Sequence, residues 1–129
     1  MEVRNLRLTP PNSVLVVLDT VSGVLPELPF GQRIAASSSC LVVGTRSSDD
    51  GPTIVDFAYD SELDELGDLE LAWEGLLESA SGVLSLVDIY WREIASLKVS
   101  NNPYVRLFVN DSAEPDRVVV LVAGDGTVG

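Results

Sequence analysis

Short runs of β-branched residues, each bounded by turn-forming residues, constrain this chain more than any other feature. Valine occurs 19 times and alanine 8 times. Branching at Cβ restricts χ1 in a helix and packs well on a pleated surface, so this imbalance favours strands. Ser13 to Asp19 (SVLVVLD) is a nearly continuous apolar run of strand length, suited to burial on both faces. Ser39 to Arg46 and Thr53 to Tyr59 are two further β-rich runs. Ser47-Ser48-Asp49-Asp50-Gly51-Pro52 between them is turn chemistry. This pattern predicts a hairpin with a longer loop. In the second run Val55, Phe57 and Tyr59 alternate with Ile54, Asp56 and Ala58, so one face is apolar and the other mixed.

Further along, Asn101-Asn102-Pro103 forms a turn. Tyr104 to Val109 and Arg117 to Ala123 then flank the polar loop Asn110 to Asp116 and should pair antiparallel. Asp60 to Ala80 reads best as an acidic loop followed by a strand, because Gly67 and Gly75 weaken a single long helix. Val83 to Val99 supports two readings. Val83, Val87, Tyr90, Ile94 and Leu97 have helical spacing, and a helix would pair Asp88 with Arg92 one turn on. The alternative is two strands, Val83–Asp88 and Glu93–Val99, joined by a turn at Ile89–Arg92. Thr9-Pro10-Pro11-Asn12 is a break, Val21 to Gly31 is loop, and the 124–129 tail is expected to fray. With no internal repeat or linker, residues 1–129 read as a single β-rich domain. The expected fold is mainly antiparallel, a β-sandwich or open barrel of about seven or eight strands. An α+β fold, with one or two helices within 61–99, is the alternative.

Composition narrows the chemistry. The chain has no histidine and one cysteine, Cys40. Serine or cysteine triads built on histidine are therefore excluded, as are histidine zinc sites and an intrachain disulfide. No glycine cluster is followed by the Gly-Lys-Ser/Thr of a phosphate loop. No uncharged apolar stretch reaches the roughly 18 residues that a membrane helix needs. Met1-Glu2-Val3-Arg4 does not open a secretory signal, so a reducing cytoplasm is the expectation.

The net charge of −12 is unevenly placed. Residues 47 to 91 hold 12 of the 20 acids and no lysine or arginine. The other 8 acids balance the 8 bases. Such a surface disfavours nucleic acid, whose phosphates call for clustered cations. It suits a basic protein partner, because opposite charge steers association. The plainer reading is a solubilising face. The expected partner-binding residues are Asp60, Glu62, Asp64, Glu65, Asp68, Glu70 and Glu74, with Trp73 or Trp91 as an apolar anchor. Tyr90-Trp91-Arg92 combines three residue types common at binding hot spots, and is an exposed anchor if it sits at a turn or core and cover if it sits on a helix. Asp49-Asp50-Gly51 with Asp56 could hold a hard cation, but it lacks EF-hand spacing and reads better as a turn. Nothing fixes two carboxylates at a glycosidase separation. Cys40, in an apolar run without a neighbouring base, is a buried small hydrophobe. No catalytic residue, metal or cofactor is expected.

From Trp73 to Ala123 the chain runs as an acidic strand, Ser81-Gly82-Val83-Leu84-Ser85-Leu86, Leu97-Lys98-Val99, an Asn/Pro turn, Tyr104-Val105-Arg106-Leu107 and a final strand. In layout this resembles small acidic all-β proteins of bacteria and is distantly similar to the competence-type nuclease inhibitors. The resemblance favours the two-strand reading of Val83–Val99 and carries over no functional residue. Three functions follow as expectations. The first is a non-enzymatic binder of toxin-immunity or nuclease-inhibitor type that captures a basic protein. The second is a structural or assembly protein, a phage component or homo-oligomer subunit, with a merely solubilising acidic face. The third and weakest is a carboxylate–metal hydrolase.

Overall fold

The computed structural model describes residues 3–26, 34–60, 66–67, 69–111 and 115–123. Ten strands run through them: β1 Val3–Leu8, β2 Val14–Leu18, β3 Ile34–Ala36, β4 Cys40–Gly44, β5 Thr53–Tyr59, β6 Glu70–Leu76, β7 Val83–Asp88, β8 Glu93–Lys98, β9 Tyr104–Val109 and β10 Arg117–Val122. They form two five-stranded sheets, ordered β1-β5-β10-β9-β6 and β3-β4-β2-β7-β8. Strand alternation sends Val55, Phe57, Val105, Leu107, Val118 and Val120 from the first sheet into one core. Leu15, Val17, Leu41, Val43, Leu84, Leu86 and Leu97 meet them from the second. The result is a mainly β sandwich, as the sequence led us to expect.

The run at Ser13–Asp19 becomes β2, central in its sheet, and both of its faces are buried. Leu15 and Val17 enter the main core, while Val16 and Leu18 pack with Cys40, Val42 and Val87 on the outer side. On the outside of the first sheet, Leu66 and Leu69 lie against Phe108, Val119 and Leu121.

Two contacts fix how the sheets overlie one another. The Tyr59 hydroxyl donates to the Lys98 carbonyl (2.8 Å), so β5 sits near β8. The Glu78 amide donates to the Ser38 carbonyl (2.8 Å), so the end of β6 meets the β3–β4 turn. Hence β6 and β8 lie at opposite edges of the sandwich.

Several expectations are sharpened or corrected. The Val83–Val99 segment is the β7–β8 hairpin, and no helix lies among the described residues of 61–99. β9 and β10 pair antiparallel as expected. The strand count exceeds seven or eight because β1 and β3 were missed. The predicted hairpin between Ser39–Arg46 and Thr53–Tyr59 does not form. β4 pairs with β2 and β3, and β5 with β1 and β10, so the connection crosses from one sheet to the other. Arg46 anchors that crossing, donating to the Pro52 carbonyl (2.7 Å) and pairing with Asp116 (3.4 Å). The β5–β10 pair is parallel, a departure from the antiparallel expectation. The 124–129 tail and residues 27–31 of the expected loop lie outside the described residues.

Candidate functional site

The acids of 47–91 divide by role. Asp56 is buried on the outer side of β5, where its carboxylate pairs with Arg117 (2.5 Å) and accepts the Asn5 amide. Asp88 pairs with Arg92 (2.7 Å). Asp60, at the end of β5, stands 3.7 Å from Arg106. These three are matched by arginines within the fold. Glu70 and Glu74 are exposed on β6, Glu78 is exposed just beyond it, and Asp49 and Asp50 are exposed in the loop before β5. Glu62, Asp64, Glu65 and Asp68 lie outside the described residues.

Among the described residues β6 is an edge strand with one partner, β9. A register shift between Leu71 and Trp73 bends it. Trp73 turns inward, half-buried against the main core, with its indole across Gly75. A Cβ at Gly75 would come within 3.0 Å of that ring. Trp73 therefore covers the core edge and is not displayed. Glu74 faces the outer side opposite Arg106 and accepts a hydrogen bond from the Tyr104 hydroxyl. That bond to the carboxylate raises the Tyr104 pKa above the ordinary phenol value. Exposed Leu71, Leu76 and Tyr104 flank Glu74.

The β7–β8 turn is built differently. The buried Asp88 carboxylate accepts the Tyr90 amide (2.8 Å), the Arg92 amide (3.1 Å) and the Arg92 guanidinium. The main chain adds Trp91 N–H to Asp88 C=O at 3.0 Å. Burial alone would raise the Asp88 pKa. The donors from Arg92 and Tyr90 outweigh it and hold the carboxyl below its usual value. Arg92 also stacks over the Tyr90 ring, 5.4 Å from its centroid. The clamped turn presents Ile89, Tyr90 and Trp91 at 43%, 65% and 52% exposure. Trp91 has φ +63°, a left-handed conformation that a bulky residue rarely adopts. Tyr90-Trp91-Arg92 thus sits at a turn with its side chains exposed, and the core-or-cover reading is corrected. The Asp88–Arg92 pair forms as expected, but across a hairpin turn.

Beside the turn, Val14, Val16, Leu25, Pro26, Val42 and Ile89 line an apolar groove of about 180 Å³. Sequence reasoning missed this groove, because it joins β2, β4 and a loop that are distant along the chain. It also missed the concavity of about 310 Å³ at the same loop end, lined by Arg46, Asp50, Asn110, Asp111 and Asp116.

Asp49 and Asp50 sit in a 3-10 turn, Ser48–Asp50, followed by Gly51 at φ +116°. Asp56 is committed to Arg117, so the turn reading accounts for them. Cys40 is fully buried, and burial pushes its thiol pKa up to about 12.

No family model matches this chain, and no curated protein matches it. A solved structure does. The crystal structure of ComJ, inhibitor of the DNA degrading activity of NucA, from Bacillus subtilis, aligns with a TM-score of 0.66. The alignment covers 97% of this chain and 98% of that one, at 9% identity. Across so few shared residues the likeness is one of fold.

Proposed function

We infer that this protein is a non-catalytic binding protein of inhibitor type, and that it captures a basic protein partner. The observation that carries this reading is the β7–β8 turn. A buried carboxylate clamps it, and it holds out Ile89, Tyr90 and Trp91 instead of burying them. Rigid exposed aromatics are costly to keep in solvent and typical of binding anchors. The net charge of −12 gives the partner its sign, and it speeds encounter with a cationic surface. The fold shared with an inhibitor of a DNA-degrading enzyme points to a nuclease as the concrete partner class. Trp73, Glu70 and Glu74 are at the other edge of the sandwich, so the anchor in this reading is Trp91.

The test is an assay of DNA degradation by a panel of purified basic nucleases, with and without the protein, at low and high salt. At least one nuclease should be inhibited, less so as salt rises, and Trp91→Ala should weaken inhibition. Full activity of every nuclease at low salt, with no complex on sedimentation, overturns the reading. Val24, Leu25 and Ile89 around the groove also suit self-association. A dimer in sedimentation that Ile89→Ser dissolves would favour the assembly role instead.

A further inference from the structure

We propose that the free edge of β6 takes an extended, lysine- or arginine-bearing segment of a partner protein by strand addition. The proposal rests on the reading of a basic protein partner and adds a second contact, distinct from the β7–β8 turn.

Hydrogen bonding at the end of β6 shows which main-chain groups face outward. The Leu77 amide donates to the Pro103 carbonyl (3.1 Å) and the Ser79 amide to the Asn101 carbonyl (2.7 Å), both on the β9 side. The Glu78 amide points the other way, to the Ser38 carbonyl (2.8 Å). In an antiparallel ladder these directions alternate, so the main-chain groups of Glu74 and Leu76 point away from β9. Among the described residues no strand pairs with that side. The β3–β4 turn closes the edge at Glu78, and the bulge at Leu71–Trp73 interrupts it at the other end. Between them the described residues leave a short open run that offers two donors and two acceptors.

Charge selects the occupant. Glu70, Glu74 and Glu78 are spaced along this edge, and residues 47–91 contain no lysine or arginine. A second copy of β6 would set carboxylates against carboxylates, which disfavours self-pairing. A strand with a cation beside Glu74 and apolar residues over Leu71, Leu76 and Tyr104 matches both the charge and the exposed apolar flanks.

The probes are a nine-residue peptide alternating valine and lysine, its valine–glutamate counterpart, and two forms of the lysine peptide N-methylated at alternate residues. At low salt the lysine peptide should bind at least tenfold tighter than the glutamate peptide. One N-methylated form should lose at least tenfold, because its blocked amides face β6. Amide exchange should slow at Glu74 and Leu76 on binding, and Glu74→Lys should reverse the preference. Equal binding of both N-methylated forms, equal binding of the two charge variants, or unchanged exchange at Glu74 and Leu76 overturns the proposal. If Glu74→Lys leaves nuclease inhibition intact while Trp91→Ala abolishes it, strand addition by the partner is removed and the inhibitor reading stands. If the lysine peptide binds as described but no basic nuclease is inhibited, the inhibitor reading falls and the edge site remains.

Discussion

The β7–β8 turn and the β6 edge both face solvent, yet opposite physics holds them there. At the turn one buried carboxylate collects two amides and a guanidinium, and fixes four residues around a tryptophan in a left-handed conformation. Among the described residues the β6 backbone is held on one side only, and its exposed side chains are mainly carboxylates and leucines. The turn is ordered to display apolar surface. The edge is kept soluble by charge and a bulge, two of the usual protections of an open strand. Exposure therefore does not mean one thing in this molecule.

Five substitutions break or sharpen that contrast. The largest effect belongs to the strand that feeds the turn. Leu86→Ala in β7 should cost about 3 kcal/mol, the usual price of an emptied leucine site, because Leu86 is fully enclosed in the main core. Leu76→Ala on β6 should shift stability by under about 0.5 kcal/mol. Urea denaturation compares the two, and equal losses would erase the distinction.

Asp19 comes next, as the control for the carboxylate clamp. It is buried at the opposite end from the turn, and it accepts the Val21 amide, the Ser79 hydroxyl and both the amide and hydroxyl of Ser81. Burial acts to raise its pKa, but these donors win and lower it from 3.8 to about 2. A lowered carboxyl pKa stabilises fully above pH 4 and loses that contribution as pH falls through 2. Asp19→Asn should cost about 2 kcal/mol at neutral pH. The deficit against wild type should shrink between pH 4 and pH 2 in thermal melts, while partner binding stays intact.

Trp91→Gly should separate display from stability. Relief of the left-handed backbone offsets the entropy of glycine, so stability should stay level or rise by under about 1 kcal/mol. Inhibition of the partner should weaken about tenfold or more, as for a lost aromatic anchor. A large loss of stability would mean that Trp91 is there for the fold. The smallest effect is Glu74→Gln, which should change stability by under about 0.5 kcal/mol. Ultraviolet titration should nevertheless find the Tyr104 pKa lowered toward the ordinary phenol value, since Glu74 is the main cause of its rise.

How much of this could be read from the chain depends on how local the cause is. β2 was legible because an unbroken apolar run can only be buried. β9 and β10 were legible because a polar loop separates two apolar runs. β1 (VRNLRL) interleaves arginine and asparagine with leucine, so its outward half hid its inward half. The sheet switch between β4 and β5 was illegible, because Asp-Gly-Pro chemistry makes a turn without saying which sheet receives the chain. Asp88 and Arg92 were paired correctly from a helical argument, since four residues span a helical turn and a tight hairpin alike. Asp56 looked like surface charge, and only its distant partner Arg117 shows it to be internal. Of the two tryptophans, Trp73 has a glycine two residues on that makes room for its ring to lie down, and Trp91 stands out from a turn.

β10 lies between β5 and β9 although it is the last of the described strands. As a ribosome adds residues in order, the other described strands of that sheet emerge before the one that joins its two halves. Until Val118, Val120 and Val122 arrive, the nascent chain carries two open edges and a hollow interior. Wiring of this kind makes closure of the sandwich a late event, and a chain stopped short of Arg117 should leave the shared core exposed rather than form a weaker version of the finished molecule.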